Sequence, residues 1–385
     1  MDEIIYNKET KEIQFIGEIT SFKFFNQLFD ALREHYKENG LKKIPTFSFV
    51  YADFFDPLVV PNIIGIGVIL NKAHDNEKIP LNFARIESTK FLDDAWFFEN
   101  VGKDKMYNEK IPAIENELIV NKSIPQKMGL ALFDFDERYL GFYNNQTVQK
   151  HNNPFHKVRV YSNDSLPYYL RFIEPNTTQN ELDALRTDKY NELKPRVNKH
   201  FSNILSSIGN AKQVLSVLTE LICNSVLYSD SVNAVMLHSR NRTTKISVSD
   251  FGVGFEYSFD LKKKKFGYTY TIFDKFSKEE QEKHKNYLYI FEALDYSKSK
   301  SIYRENLYTL LKDVVINSDG IMRIHYVDTQ VVFTSKRCKI CDKNLNPSEC
   351  VKCLLQKISN DKSVSPIRFD FGKLKGVHIE VELNF

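Results

Sequence analysis

The passage from residue 202 to residue 254 constrains this chain more than any other stretch. Ile204, Leu205, Ile208, Val214, Leu215, Leu218, Leu221, Ile222 and Val226 recur on one broad apolar face. That spacing predicts helix over 202–228, broken near Gly209-Asn210. Two β-runs follow, 232–238 and 245–249, around a polar turn at 239–244. The segment therefore reads as helix against an antiparallel pair, an α+β arrangement. Its polar residues are placed with purpose. Glu220 and Asn224 stand at i and i+4, so a helix aims both side chains into one space. Asp250 ends the second β-run, and Gly252 and Gly254 after it let the backbone turn sharply against a ligand. Cys223, between the helical pair, reads as a small hydrophobe packed inward.

Composition excludes several classes. The 385 residues suggest roughly two to three domains, and 42% hydrophobic with 13% aromatic residues suffices for packed cores. With 53 basic against 50 acidic residues the net charge is only +3, so no global field draws nucleic acid or anionic lipid. No stretch reaches the ~20 apolar residues of a membrane span; the best, 58–70, is interrupted by Pro61, Asn62 and two glycines. Met1-Asp2-Glu3-Ile4-Ile5 lacks the basic and apolar regions of a signal peptide, and the expected location is the cytoplasm.

The first part of the chain reads as an α/β domain over 1–125. A β-run at 13–16 leads to Thr20-Ser21 as N-cap of a helix carrying Phe24, Phe25, Leu28, Leu32 and Tyr36, with Gly40 as its C-cap. Phe47, Phe49 and Tyr51 alternate as strand residues do, and Asp56-Pro57 opens a second helix to about Lys72. This order resembles the STAS-type domains of bacterial regulators. Further β-runs at 130–135, 158–161 and 168–172, then a polar interval from 176 to about 194, predict a β-rich extension and linker over 126–197. The intervals 262–265 and 275–285 are charged and show no clear core face.

Glu220-x-x-x-Asn224 on a helix, then Asp250-x-Gly252-x-Gly254 after a hairpin, resembles the ATP-binding module of the GHKL superfamily, the Bergerat fold of gyrases, heat-shock chaperones, histidine kinases and anti-sigma kinases. The closing run Gly376-Val377-His378-Ile379-Glu380-Val381-Glu382-Leu383 is similar to that family's last strand, so the module spans 198–385. The resemblance implies three roles. Asp250 would accept a charge-assisted hydrogen bond from the adenine amine. The Asn224 carboxamide oxygen would bind Mg2+, which takes hard oxygen ligands and bridges phosphates. Glu220 would orient or deprotonate the attacking water.

The phosphate-binding lid departs from the family pattern. Where a second glycine-rich segment is usual, this chain has Ser297-Lys298-Ser299-Lys300-Ser301-Ile302-Tyr303-Arg304-Glu305-Asn306-Leu307. Either Lys298, Ser299, Lys300 and Arg304 replace the missing backbone donors on the phosphates, or the lid is degenerate and the site binds ATP without rapid turnover.

Cys338-x-x-Cys341 and Cys350-x-x-Cys353, separated by eight residues, make a four-thiolate set within a 336–357 insertion. Such a closed set suits structural Zn2+, with a redox disulfide as the competing view. The insert is also locally basic, yet no aromatic stacking platform is interleaved with the charges, so nucleic-acid contact is not favoured. The expected protein is an ATP-binding regulator that hydrolyses slowly and uses lid closure to change self-association or its meeting with a protein partner. The alternatives are an anti-sigma-like serine or histidine kinase, or an ATP-dependent, nucleic-acid-linked defence effector.

Overall fold

The computed structural model describes residues 3–74, 79–83, 126–130, 156–161, 177–229, 233–240, 242–299, 306–336 and 346–384. The chain is mixed α+β with two sheets, and it divides into two compact units, Met1–Val160 and Tyr161–Phe385.

In the first unit the order is β1 (Glu3–Asn7), β2 (Glu12–Ile19), α1 (Ser21–Asn39), β3 (Thr46–Phe55), α2 (Val60–Ala73), β4 (Ile79–Phe83) and β5 (Gln126–Leu130). The strands lie side by side in that same order. β1–β2 and β4–β5 are antiparallel, while β2–β3 and β3–β4 are parallel and bridged by the helices. Local chemistry sets the helix ends. Thr20 accepts from the Lys23 N–H at one end of α1, and Gly40 at φ +81° closes the other. Asp56 caps a short 3-10 turn with Pro57 at its start, which runs on into α2. Phe24, Phe25, Leu28 and Leu32 of α1 are buried with Phe15, Phe47 and Phe49.

The unit boundary falls within β6 (His156–Tyr161), an edge strand of the second sheet. Then come α3 (Gln179–His200), α4 (Ser202–Leu205), α5 (Ala211–Tyr228), β7 (Asn233–Arg240), β8 (Thr243–Asp250), α6 (Gly254–Phe266), α7 (Lys278–Lys283), α8 (Lys285–Ser299), α9 (Leu307–Lys312), β9 (Ile321–Val327), β10 (Thr329–Thr334), α10 (Pro347–Leu355), β11 (Ile367–Arg368) and β12 (Leu374–Asn384). The seven strands run in the order β11-β10-β9-β12-β8-β7-β6. Between β7 and β11 each neighbouring pair is antiparallel. Their register puts Val235, Val248, Ile379 and Ile324 on one face, where they join Leu218, Leu221, Ile222 and Ile290 of the helices in the main core.

One expectation needs correction, and two charged intervals take a definite form. The interval 126–197 is not one extension: β5 belongs to the first sheet, β6 to the second, and the polar stretch forms most of α3. Its capping box of Thr178 and Glu181 starts a 22-residue helix. Periodicity was hidden there because the buried face, Leu182, Arg186, Lys189, Leu193 and Val197, carries two basic residues. The charged run 262–265 is the last turn of α6, where cations complement the helix dipole. The run 275–285 holds α7, which buries none of its residues. Expected strands at 131–135 and 168–172 lie outside the described residues. No described helix is long and apolar enough to cross a membrane.

Candidate functional site

The end of β8 carries Asp250, only 5% exposed. Its Oδ1 accepts from the backbone N–H groups of Gly252 and Val377, each at 3.2 Å. The Val377 donor is presented where β12 shifts register between Leu374 and Val377. Gly376 makes this approach at φ +93°, where a Cβ would lie 2.1 Å from the Asp250 carbonyl oxygen. Burial pushes the Asp250 carboxyl up to about 7, against the opposing pull of the two N–H donors. Near neutral pH this side chain stands poised between acid and carboxylate.

The glycines after Asp250 are demanded by the protein's own packing. A Cβ on Gly252 would sit 1.5 Å from the Ser229 carbonyl oxygen, which accepts from the Val253 N–H at 2.8 Å. Gly252 thus seats the turn on the end of α5 and is not among the residues lining the cleft. Gly254, at φ +72°, opens α6, and a Cβ there would be 2.5 Å from the Tyr326 ring. The Tyr326 hydroxyl in turn accepts from the Glu256 N–H at 3.0 Å, serving as a cap for α6.

On α5 the helical pair is in contact: Asn224 Nδ2 donates to Glu220 Oε1 at 2.9 Å. Both also receive a third residue. Arg186 of α3 pairs with Glu220 through one guanidinium nitrogen, which also donates to Asn224 Oδ1 at 2.8 Å. Burial disfavours the Arg186 charge, but the Glu220 carboxylate more than offsets it, so the guanidinium is held above its ordinary pKa. Glu220 is 1% exposed and sits behind Asn224, which reaches the cleft. Cys223 is fully buried.

Asn224, Asp250 and Gly254 line one cleft together with Arg186, Lys262 and Asn306. Lys262, 9% exposed, holds its ammonium 3.9 Å above the Tyr296 ring centroid. Phe259 at 5.1 Å and Tyr228 at 5.2 Å complete an aromatic surround. Asn306 accepts from the Thr309 N–H and so caps α9. The cleft therefore combines a buried carboxylate acceptor, a carboxamide and two cations among apolar walls. That donor and acceptor set suits a flat amine-bearing heterocycle joined to an anionic group.

The expected lid residues do not gather there. Lys298 Nζ donates to Asn346 Oδ1 at 3.2 Å, and Ser299 Oγ donates to the Tyr296 carbonyl. Neither lines the cleft, although neighbouring Ser297 does. Lys300 and Arg304 lie outside the described residues. Sequence reasoning missed Arg186 and Lys262, and the one available signal was a basic residue at a stripe position between Leu182 and Leu193.

Cys350 and Cys353 stand at i and i+3 on α10, not in a turn-like knuckle. Cys350 is 2% exposed and belongs to the main core, while Cys353 is half-buried beside it. Both stand on one helix face, a spacing compatible with a shared metal. Cys338 and Cys341 lie outside the described residues, among which no group of three metal-ligating side chains occurs.

Compared with known proteins, the chain matches no family model, no curated protein and no solved structure.

Proposed function

We propose that the second unit is a magnesium-dependent ATP-binding module of the GHKL type, and that the protein is a regulator whose nucleotide state governs its meeting with a protein partner or with itself. The observation that carries this reading is the buried Asp250 carboxylate, which shares one cleft with Asn224. Asp250 would accept the amine of adenine. The Asn224 oxygen is the hard donor that Mg2+ prefers, and when bound the ion would neutralise phosphate charge. Lys262 and Asn306 would face the anionic part of the ligand.

Slow turnover is part of the proposal. Glu220 is committed to Arg186, and Lys298 to Asn346. The first unit is proposed as a STAS-like partner or sensing domain, on its strand and helix order. Zn2+ is proposed to join Cys350 and Cys353 to Cys338 and Cys341 and so pin the 336–357 segment.

Titration calorimetry with ATP and Mg2+ tests the reading. The wild-type chain should bind ATP and Asp250→Asn should lose most of that affinity. No heat of binding in the wild type, or equal binding in the variant, sinks the proposal.

A further inference from the structure

Arg186 comes from a helix whose two halves are held differently. Leu193 and Val197, with Phe201 beyond them, enter the main core. Leu182 belongs instead to a small separate cluster with Tyr228, Leu261 and Phe266. Pro195 stands inside the helix, between Leu193 and Val197 of the core-anchored half. Proline has no N–H to give to the carbonyl of Asn191, so the ladder lacks a bond there, and such points are where helices bend. Within 179–190 Leu185 is exposed, while Lys189 is buried and Tyr190 packs against the main core at the segment's C-terminal end. Leu182 and the Arg186 contacts to Glu220 and Asn224 are therefore prominent ties of this half to the site.

Those contacts fall on the atom assigned above to magnesium. A divalent ion ligated by Asn224 Oδ1 would sit about 2.1 Å from that oxygen, while the Arg186 nitrogen already sits 2.8 Å from it. Two cations that close in a site of reduced dielectric repel strongly. Glu220, the other anchor of Arg186, loses its commitment only when the guanidinium leaves.

We propose that Arg186 is a built-in competitor of the divalent cation, so that loading of the magnesium nucleotide and release of the first half of α3 are one event. The helix segment 179–190 is then the element through which the site signals, and through which a partner that holds this segment elsewhere would raise nucleotide affinity. This rests on the nucleotide reading above.

The test compares Glu220→Gln with the double variant Arg186→Met/Glu220→Gln, which leaves no uncompensated buried charge behind. Calorimetry measures ATP affinity with Mg2+ and with a chelator. The ratio of the two affinities should rise roughly tenfold or more in the double variant, as expected from freeing one charge-assisted hydrogen bond. An unchanged or lower ratio overturns the proposal, as does wild-type binding that ignores Mg2+ and is lost with Arg186. Should the variants not fold, the wild-type protein decides alone. Amide exchange in 179–190 should speed up about tenfold with Mg2+ and ATP together, as expected for a segment released from its ties, and not with ATP alone; unaltered exchange despite measured binding overturns the inference while leaving the nucleotide site intact. Failure of the wild type to bind ATP under either condition overturns both.

Discussion

Replacing Asp250 by Asn should stabilise the second unit at alkaline pH while removing its proposed ligand. The folded carboxyl titrates at about 7 because it is buried, whereas an unfolded Asp titrates near 3.9. Between those values the folded state holds a proton that the unfolded state has released. Folded-state stability therefore declines as pH rises from about 4 to about 7 and is then level. A difference of about three pH units at 1.36 kcal/mol each corresponds to a penalty of about 4 kcal/mol at pH 8. Asn keeps a carbonyl oxygen for the Gly252 and Val377 N–H donors and carries no charge to desolvate. The variant should thus exceed wild type by up to about 4 kcal/mol at pH 8 and match it near pH 4. Amide exchange of β8 and β12 followed through a urea series, at pH 4, 6 and 8 without nucleotide, reads this unit alone. A gap that does not change with pH, or a variant less stable than wild type at pH 8, would refute the argument that burial of this charge sets its titration.

The same titration predicts that ATP affinity falls about tenfold per pH unit below about pH 7 and levels above it, since the adenine amine needs the ionised acceptor; a flat calorimetric profile from pH 5.5 to 8 would count against Asp250 as the reader. Gly252→Ala must move the turn off Ser229 and should cost at least about 3 kcal/mol in urea denaturation, whereas Gly209→Ala, which meets nothing within 4 Å, should stay within about 0.5 kcal/mol. Glu292, fully buried, accepts from the N–H groups of Thr271, Ile272 and Phe273 and from the hydroxyls of Tyr268 and Thr271. Glu292→Gln sets an amide donor against some of these donors and should cost about 3 kcal/mol, with amide exchange at 271–273 rising first; unchanged protection there would show that the carboxylate does not hold this loop. Elemental analysis should find about one zinc per chain, lost in Cys338→Ser/Cys341→Ser, and a metal-free wild type would remove the zinc proposal.

The physical range of each interaction explains what could be read early. The break at Gly209-Asn210, the caps at Thr20 and Asp56 and the shared aim of Glu220 and Asn224 involve neighbours a few residues apart, which periodicity reports directly. The strand β12 was equally plain, although its polar positions His378 and Glu380 are buried along with the apolar ones. Lys262 was not, because its buried position depends on rings contributed by α5 and α8. Gly252 was assigned to a ligand approach because a glycine records only that space is short, not whose atoms fill it. In the structure those atoms are the backbone of Ser229.

The sequence alone determined the local elements, the helical pair on one face, and an aspartate followed by a glycine turn at the end of a strand. Tertiary structure alone decided that Asn224, Asp250 and Gly254 meet in one cleft, that burial brings the Asp250 carboxyl up to about 7, and that Arg186 closes over Glu220 from 34 residues upstream. The reason is that periodicity and capping act through bonds along the chain. Desolvation and charge pairing act through space, and depend on which distant segment the fold brings alongside.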